Sequence, residues 1–185
     1  MKNLSLIFVL LISTFISCSD FDTTINSKNE FKTIVFPDGS KAYLNKNSTV
    51  EYNNDFKQRI VSQNGEAFYS VKHNASPFIV KTSTGEIKVL GTEFNVNTTN
   101  NKLDVEVEKG AVEVKVNKLV KKVKKGQKAL FDDVKKGIKI GKAEFKHKKW
   151  RREFKKVKND LKKGAKKVGK ETKKIGNSIK KVFKN

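Results

Sequence analysis

Leu103-Asp104-Val105-Glu106-Val107-Glu108, then Lys109-Gly110, then Ala111-Val112-Glu113-Val114-Lys115-Val116, is the stretch that decides the fold. In an extended chain, successive side chains point to opposite faces. Leu103, Val105 and Val107 therefore share one face, and Asp104, Glu106 and Glu108 share the other. Val112, Val114 and Val116 repeat the pattern after Gly110. Two alternating runs joined by a short Gly-containing link predict a β-hairpin. The carboxylates predict a solvated outer face.

Working upstream, the same grammar recurs. Thr33-Ile34-Val35-Phe36 runs into Pro37-Asp38-Gly39-Ser40, where Pro fixes φ and Gly accepts φ > 0. Asn64-Gly65 reads as a second hairpin turn, between Gln58–Ser62 and Ala67–Lys72. Pro77 opens Phe78–Thr82, Gly85 opens Glu86–Leu90, and Phe94–Thr98 alternates. Ten or more strands at spacings of about eight to twelve residues predict an all-β domain, a multi-stranded roll, sandwich or solenoid-like form, over residues 31–141. No helix-length periodic segment interrupts it, which excludes a parallel α/β sheet.

Downstream, the charge changes abruptly. Residues 1–114 hold 12 basic and 13 acidic side chains, residues 115–141 hold 10 and 2, and residues 142–185 hold 19 and 4. The net +22 therefore lies behind residue 114, with +8 in residues 115–141 and +15 in residues 142–185, which points to an anionic partner for the C-terminal part alone. Spacings of three and four dominate among the apolar residues of this tail: Trp150, Phe154, Val157, Leu161, Ala165, Val168, Ile175, Ile179, Val182 and Phe183. Val157, Val168 and Ile179 repeat every eleven residues, as do Leu161, Thr172 and Phe183, a period that keeps a stripe straight along a helix. Residues 142–185 are thus expected to be a lysine-rich helical tail, an amphipathic helix over about 143–183, lying in an anionic membrane surface. Its stripe (Trp150, Phe154, Val157, Leu161, Val168, Ile175, Ile179, Phe183) would insert, with the Trp150 indole at the interface. Its flanks would attract: Arg151, Arg152, Lys155, Lys156, Lys162 and Lys163, then Lys166, Lys167, Lys173, Lys174, Lys180 and Lys181. Packing of the stripe on the β domain or on a second helix is the competing expectation. Gly164, Gly169 and Gly176 each cost about 1 kcal/mol of helix stability relative to Ala.

At the other end, Met1-Lys2-Asn3 supplies a positive charge and Leu4–Ile16 an apolar run, the pattern of an export signal over residues 1–17. Cys18, the single cysteine, follows Phe15-Ile16-Ser17 in a sequence that resembles a bacterial lipobox. Lipidation at Cys18 is expected, with residues 18–30 as a polar tether. One cysteine cannot form an internal disulfide. With only His73 and His147 besides, it leaves no His/Cys metal cluster. Neither a P-loop nor a nucleophile elbow occurs. No catalytic residue, metal, cofactor or small-molecule substrate is therefore expected.

The β region resembles the FecR family domain. The resemblance rests on Asp38-Gly39-Ser40 with Leu44-Asn45 and Ser48, on Gly65–Val71, on Pro77–Thr82, on Ile87-Lys88-Val89-Leu90-Gly91-Thr92-Glu93-Phe94-Asn95-Val96, and on Val107–Val114 with Gly126-Gln127-Lys128-Ala129. It spans residues 31–131. It implies a β domain outside the inner membrane that relays a receptor signal to a cytoplasmic sigma factor. Two departures qualify this: only Met1-Lys2-Asn3 precede the hydrophobic run, and a basic helix stands where the family commonly has a receptor-facing domain. The expectation is therefore a non-enzymatic envelope lipoprotein, anchored on the outer side of the inner membrane or in the outer membrane. It would serve as an adaptor for an envelope protein or polymer. The alternative is a component of a FecR-type signalling system acting through another membrane protein. A lesser alternative is nucleic-acid or acidic-polymer binding by the tail.

Overall fold

A computed structural model describes residues 21–99, 102–132 and 136–182. In chain order the strands are β1 (Thr23–Asn26), β2 (Lys32–Val35), β3 (Lys41–Leu44), β4 (Thr49–Tyr52), β5 (Ile60–Asn64), β6 (Glu66–Ser70) and β7 (Phe78–Lys81). Then come β8 (Glu86–Val89), β9 (Glu93–Asn97), β10 (Lys102–Lys109), β11 (Ala111–Val116), β12 (Leu119–Lys124), β13 (Gln127–Asp132) and β14 (Gly137–Lys142), followed by one helix, α1 (His147–Val182). The strands form two seven-stranded sheets, ordered β1-β4-β5-β7-β8-β11-β12 and β14-β13-β10-β9-β6-β3-β2. This is the expected all-β domain followed by a long helix.

The sheets close on one core. Inward residues of β10 (Leu103, Val105, Val107) and of β11 (Val112, Val114, Val116) are all buried in it. Aromatic rings fill the far end, where Phe36 stacks on Phe56 at 5.0 Å and meets Phe78 edge-on at 5.5 Å. The Asp38-Gly39-Ser40 turn is a brace for that end. Asp38 accepts hydrogen bonds from Ser40 N (2.7 Å), Ser40 Oγ (2.8 Å) and Arg59 Nε (2.9 Å). The buried Arg59 guanidinium also donates to the carbonyls of Lys72 and Ser76, tying the 72–76 loop to the turn.

Three expectations need correction. Residues 103–116 are not a hairpin. β10 pairs with β9 and β13 in one sheet, whereas β11 pairs with β8 and β12 in the other. Asn64-Gly65 likewise passes the chain from β5 in one sheet to β6 in the other. A tight corner between layers and a hairpin turn both use a glycine at positive φ, here 87° at Gly65 and 81° at Gly110. Both also leave alternate valines on the core side, so the local pattern cannot separate them. The third correction concerns the tether: Thr23–Asn26, within the expected linker, pairs antiparallel with β4, and Asp22 accepts a hydrogen bond from Asn54 N at 2.9 Å. The β domain thus begins before residue 31. Its last strand, β14, ends at Lys142.

Candidate functional site

Outward faces of antiparallel sheets are ordinarily wet, but the middle of this one is not. Glu106 is 6% exposed and Phe68 1%, although both point away from the core. What covers them is the segment between β14 and the second turn of α1. The expected solvated carboxylate face is therefore replaced by a clasp.

Glu106 is its centre. Its Oε1 accepts two successive backbone N–H groups, from Glu144 (2.7 Å) and Phe145 (2.9 Å). Phe145 adopts φ 52°, the left-handed turn that aims neighbouring amides at one anion. Glu106 Oε2 is hydrogen-bonded with His147 Nδ1 at 3.0 Å, and His147 Nε2 with Glu108 Oε1 at 2.6 Å. Arg151 Nη1 adds a bond to Glu108 at 3.1 Å. Burial would raise the Glu106 carboxyl, but the His147 and backbone hydrogen bonds outweigh it and hold it below the ordinary value. The first turn of α1 carries no acidic residue of its own, so Glu106 and Glu108 also supply the negative charge that a helix N-terminus favours.

Rings complete the contact. His147 stacks on Phe68 at 5.4 Å, and the Arg151 guanidinium lies 3.4 Å from the Phe68 centroid. Trp150 stacks on Phe31 at 5.9 Å, and Phe154 meets Phe31 at 5.5 Å and Tyr43 at 6.3 Å. The helix therefore crosses the sheet from β10 toward β2. Beneath it, Glu66 accepts from Asn45 (2.8 Å) and Asn95 (2.9 Å). Asp104 sits beside this network with its carboxyl raised to about 6, by burial first and by the Glu106 charge second.

Where α1 leaves the sheet, a concavity of about 600 Å³ opens, lined by Tyr43, Phe154, Asn159 and five cations: Lys148, Arg151, Arg152, Lys155 and Lys158. Beyond it Val157 is 49% exposed and Leu161 70%, with Lys155, Lys156, Lys162, Lys163, Lys166 and Lys173 exposed around them.

The expected stripe is thus divided. Trp150 is 8% exposed and Phe154 half-buried on the β domain, so the indole packs on protein. Val157 and Leu161 have no such cover. Lys167, Val168, Lys174, Ile175, Ile179, Lys180 and Lys181 lie on the helical backbone, and their side chains are outside the described structure. Cys18 and Phe183 lie outside the described residues. Sequence reading missed Glu106, Glu108 and His147 as a unit. One signal was available: His147, Trp150, Arg151 and Phe154 follow the i, i+3, i+4, i+7 spacing of a helix face packed on protein.

Among the described residues, no helix is long and apolar enough to cross a membrane. No curated protein matches the chain. Two crystal structures, at 2.50 Å and 1.65 Å resolution, of a protein described as a candidate anti-sigma factor from Parabacteroides distasonis ATCC 8503 are similar to it. Each shows 30% identity and a TM-score of 0.61, over 65% of this chain and 59% of that one. This chain therefore spans about three fifths of that protein's length. The family model described as FecR protein matches residues 22–113, which begin at β1 and end within β11. On that match, residues 22–113 carry a FecR-type domain.

Proposed function

We propose that this protein is a regulatory FecR-type signalling component of the bacterial envelope, without enzymatic activity, acting through another membrane protein. The observation that carries this reading is the FecR match over residues 22–113, joined to the likeness to a candidate anti-sigma factor. In the reading, residues 1–17 direct export, Cys18 is acylated, and the β domain recognises its partner outside the inner membrane. The lipobox-like Phe15-Ile16-Ser17-Cys18 supports the anchor. The tail beyond Phe154 lies in an anionic membrane surface, which the exposed Val157 and Leu161 between lysines support.

Deletion of the gene in the producing cell, followed by transcript profiling, tests the regulatory role. A bounded set of transcripts should change and return with the wild-type gene, and unchanged transcripts would overturn the reading. Labelled palmitate should enter the wild-type protein and not a Cys18→Ala variant.

A further inference from the structure

We propose that the concavity between Tyr43 and the first three turns of α1 is a binding site for the phosphate headgroup of an anionic membrane lipid. Five cations line it: Lys148, Arg151, Arg152, Lys155 and Lys158, and no carboxylate does. A volume of about 600 Å³ is within the range of small-ligand sites.

The cations come from one face of the helix, at i, i+3, i+4, i+7 and i+10. This face is fixed in place, because the clasp at Glu106, His147 and Glu108 sets the rotation of α1 on the sheet. Arg151 is held by Glu108 and by the Phe68 ring, so one guanidinium stands pre-oriented at the inner wall. A guanidinium fork matches the paired oxygens of a phosphate better than a point charge does, and Arg151 and Arg152 bring two. Tyr43 and Phe154 give the site an apolar wall that suits the glycerol and first methylenes of a lipid. The occupant's source follows from position. Phe154 lines the concavity and Leu161, two turns further along the same side of the helix, is 70% exposed, so acyl chains from a bound headgroup would continue along the exposed stripe. The proposal rests on the surface-bound reading of the tail and adds a defined headgroup site to it.

The test uses the mature chain, residues 18–185, carrying Cys18→Ala so that no acyl chain contributes. Co-sedimentation is measured with vesicles of phosphatidylcholine mixed with phosphatidylglycerol, and with vesicles of equal charge made with cholesteryl hemisuccinate, which carries a carboxylate. A groove variant (Arg152, Lys155 and Lys158, each→Gln) is compared with a charge-matched distal variant (Lys162, Lys163 and Lys166, each→Gln). Emission of Trp150, the chain's single tryptophan, checks that the helix remains docked.

The expected result is preference of the wild type for phosphatidylglycerol, a loss of about tenfold or more in the groove variant, and only two- to threefold in the distal variant. The preference over the carboxylate lipid should vanish with the groove. Equal losses in the two variants would leave the tail at the membrane and overturn the headgroup site. Absence of any binding to anionic vesicles would overturn the tail reading and the site together. Saturable competition by free glycerol phosphate at micromolar concentration would assign the site to a soluble phosphate and overturn the lipid assignment.

Discussion

Asp104 shows how a single buried carboxyl sets a pH dependence. Among the described residues its buried Oδ1 has no hydrogen-bond partner, and neither has the buried Oδ1 of Asn95 on the neighbouring strand. Burial and the Glu106 charge raise its carboxyl from 3.8 to about 6. Between those values the folded chain holds more protons than the unfolded one, so this group makes stability fall as pH rises through that window. An amide at this place carries no charge to desolvate and adds a donor. Asp104→Asn should therefore raise the unfolding free energy at pH 7 by about 1–2 kcal/mol, less than the full conversion of the shift because the carboxyl is partly screened by solvent. The gain should fade at pH 4, where the wild-type carboxyl is neutral too. Urea unfolding at both pH values checks this, and an equal gain at the two would contradict it. The alternation of Asp104, Glu106 and Glu108 was legible in the sequence. Their covering was not, because it depends on a segment some forty residues away, as the Glu106 to His147 contact shows.

At the scale of elements, the positions of β2 to β11 were legible, β1 was hidden in the tether, and strand partners were not legible. Gly65 and Gly110 each carry the chain between layers, yet their surroundings differ. A Cβ on Gly65 would lie 2.7 Å from Ser48 Oγ and 2.8 Å from Ser48 Cα, whereas on Gly110 the nearest atom, Thr92 Oγ1, would be 3.1 Å away. Both positions have positive φ, which costs an L-residue about 1–2 kcal/mol. Gly110→Ala should cost about that much. Gly65→Ala should cost more, about 3 kcal/mol, since backbone must also move. Chemical denaturation midpoints decide the order, and the reverse order would contradict the packing.

The helix has its own test at this scale. Glu106 is held below the ordinary carboxylate value, so its contribution to docking is present above that value and is lost as pH falls through the lowered one. Acidification should shift Trp150 emission to the red as the indole leaves Phe31. Glu106→Ala should give the same shift at neutral pH, since removing one partner of a buried ion pair costs about 3–5 kcal/mol. Unchanged emission in that variant would show that the rings alone hold the helix.

At the scale of the whole molecule, the chain separates two surfaces. A sandwich that is near neutral through residue 114 and basic in its last strands carries a helix of 36 residues, about 54 Å long, whose start is clasped and whose remainder extends past the sheet. The eleven-residue repeat announced the helix, whereas the charge step near residue 115 falls at β11, inside the sandwich. That the stripe would be shared between the β domain and open surface was not legible, because Trp150 and Val157 have the same periodicity and differ only in what lies opposite them. The clasp is the joint between the two surfaces, and amide hydrogen exchange read by mass spectrometry tests it most directly. Amides of residues 144–154 should exchange as slowly as those of β9 and β10 in the wild type, and fast in Glu106→Ala while the sandwich stays protected. Fast exchange of residues 144–154 in the wild-type protein would contradict the docked helix.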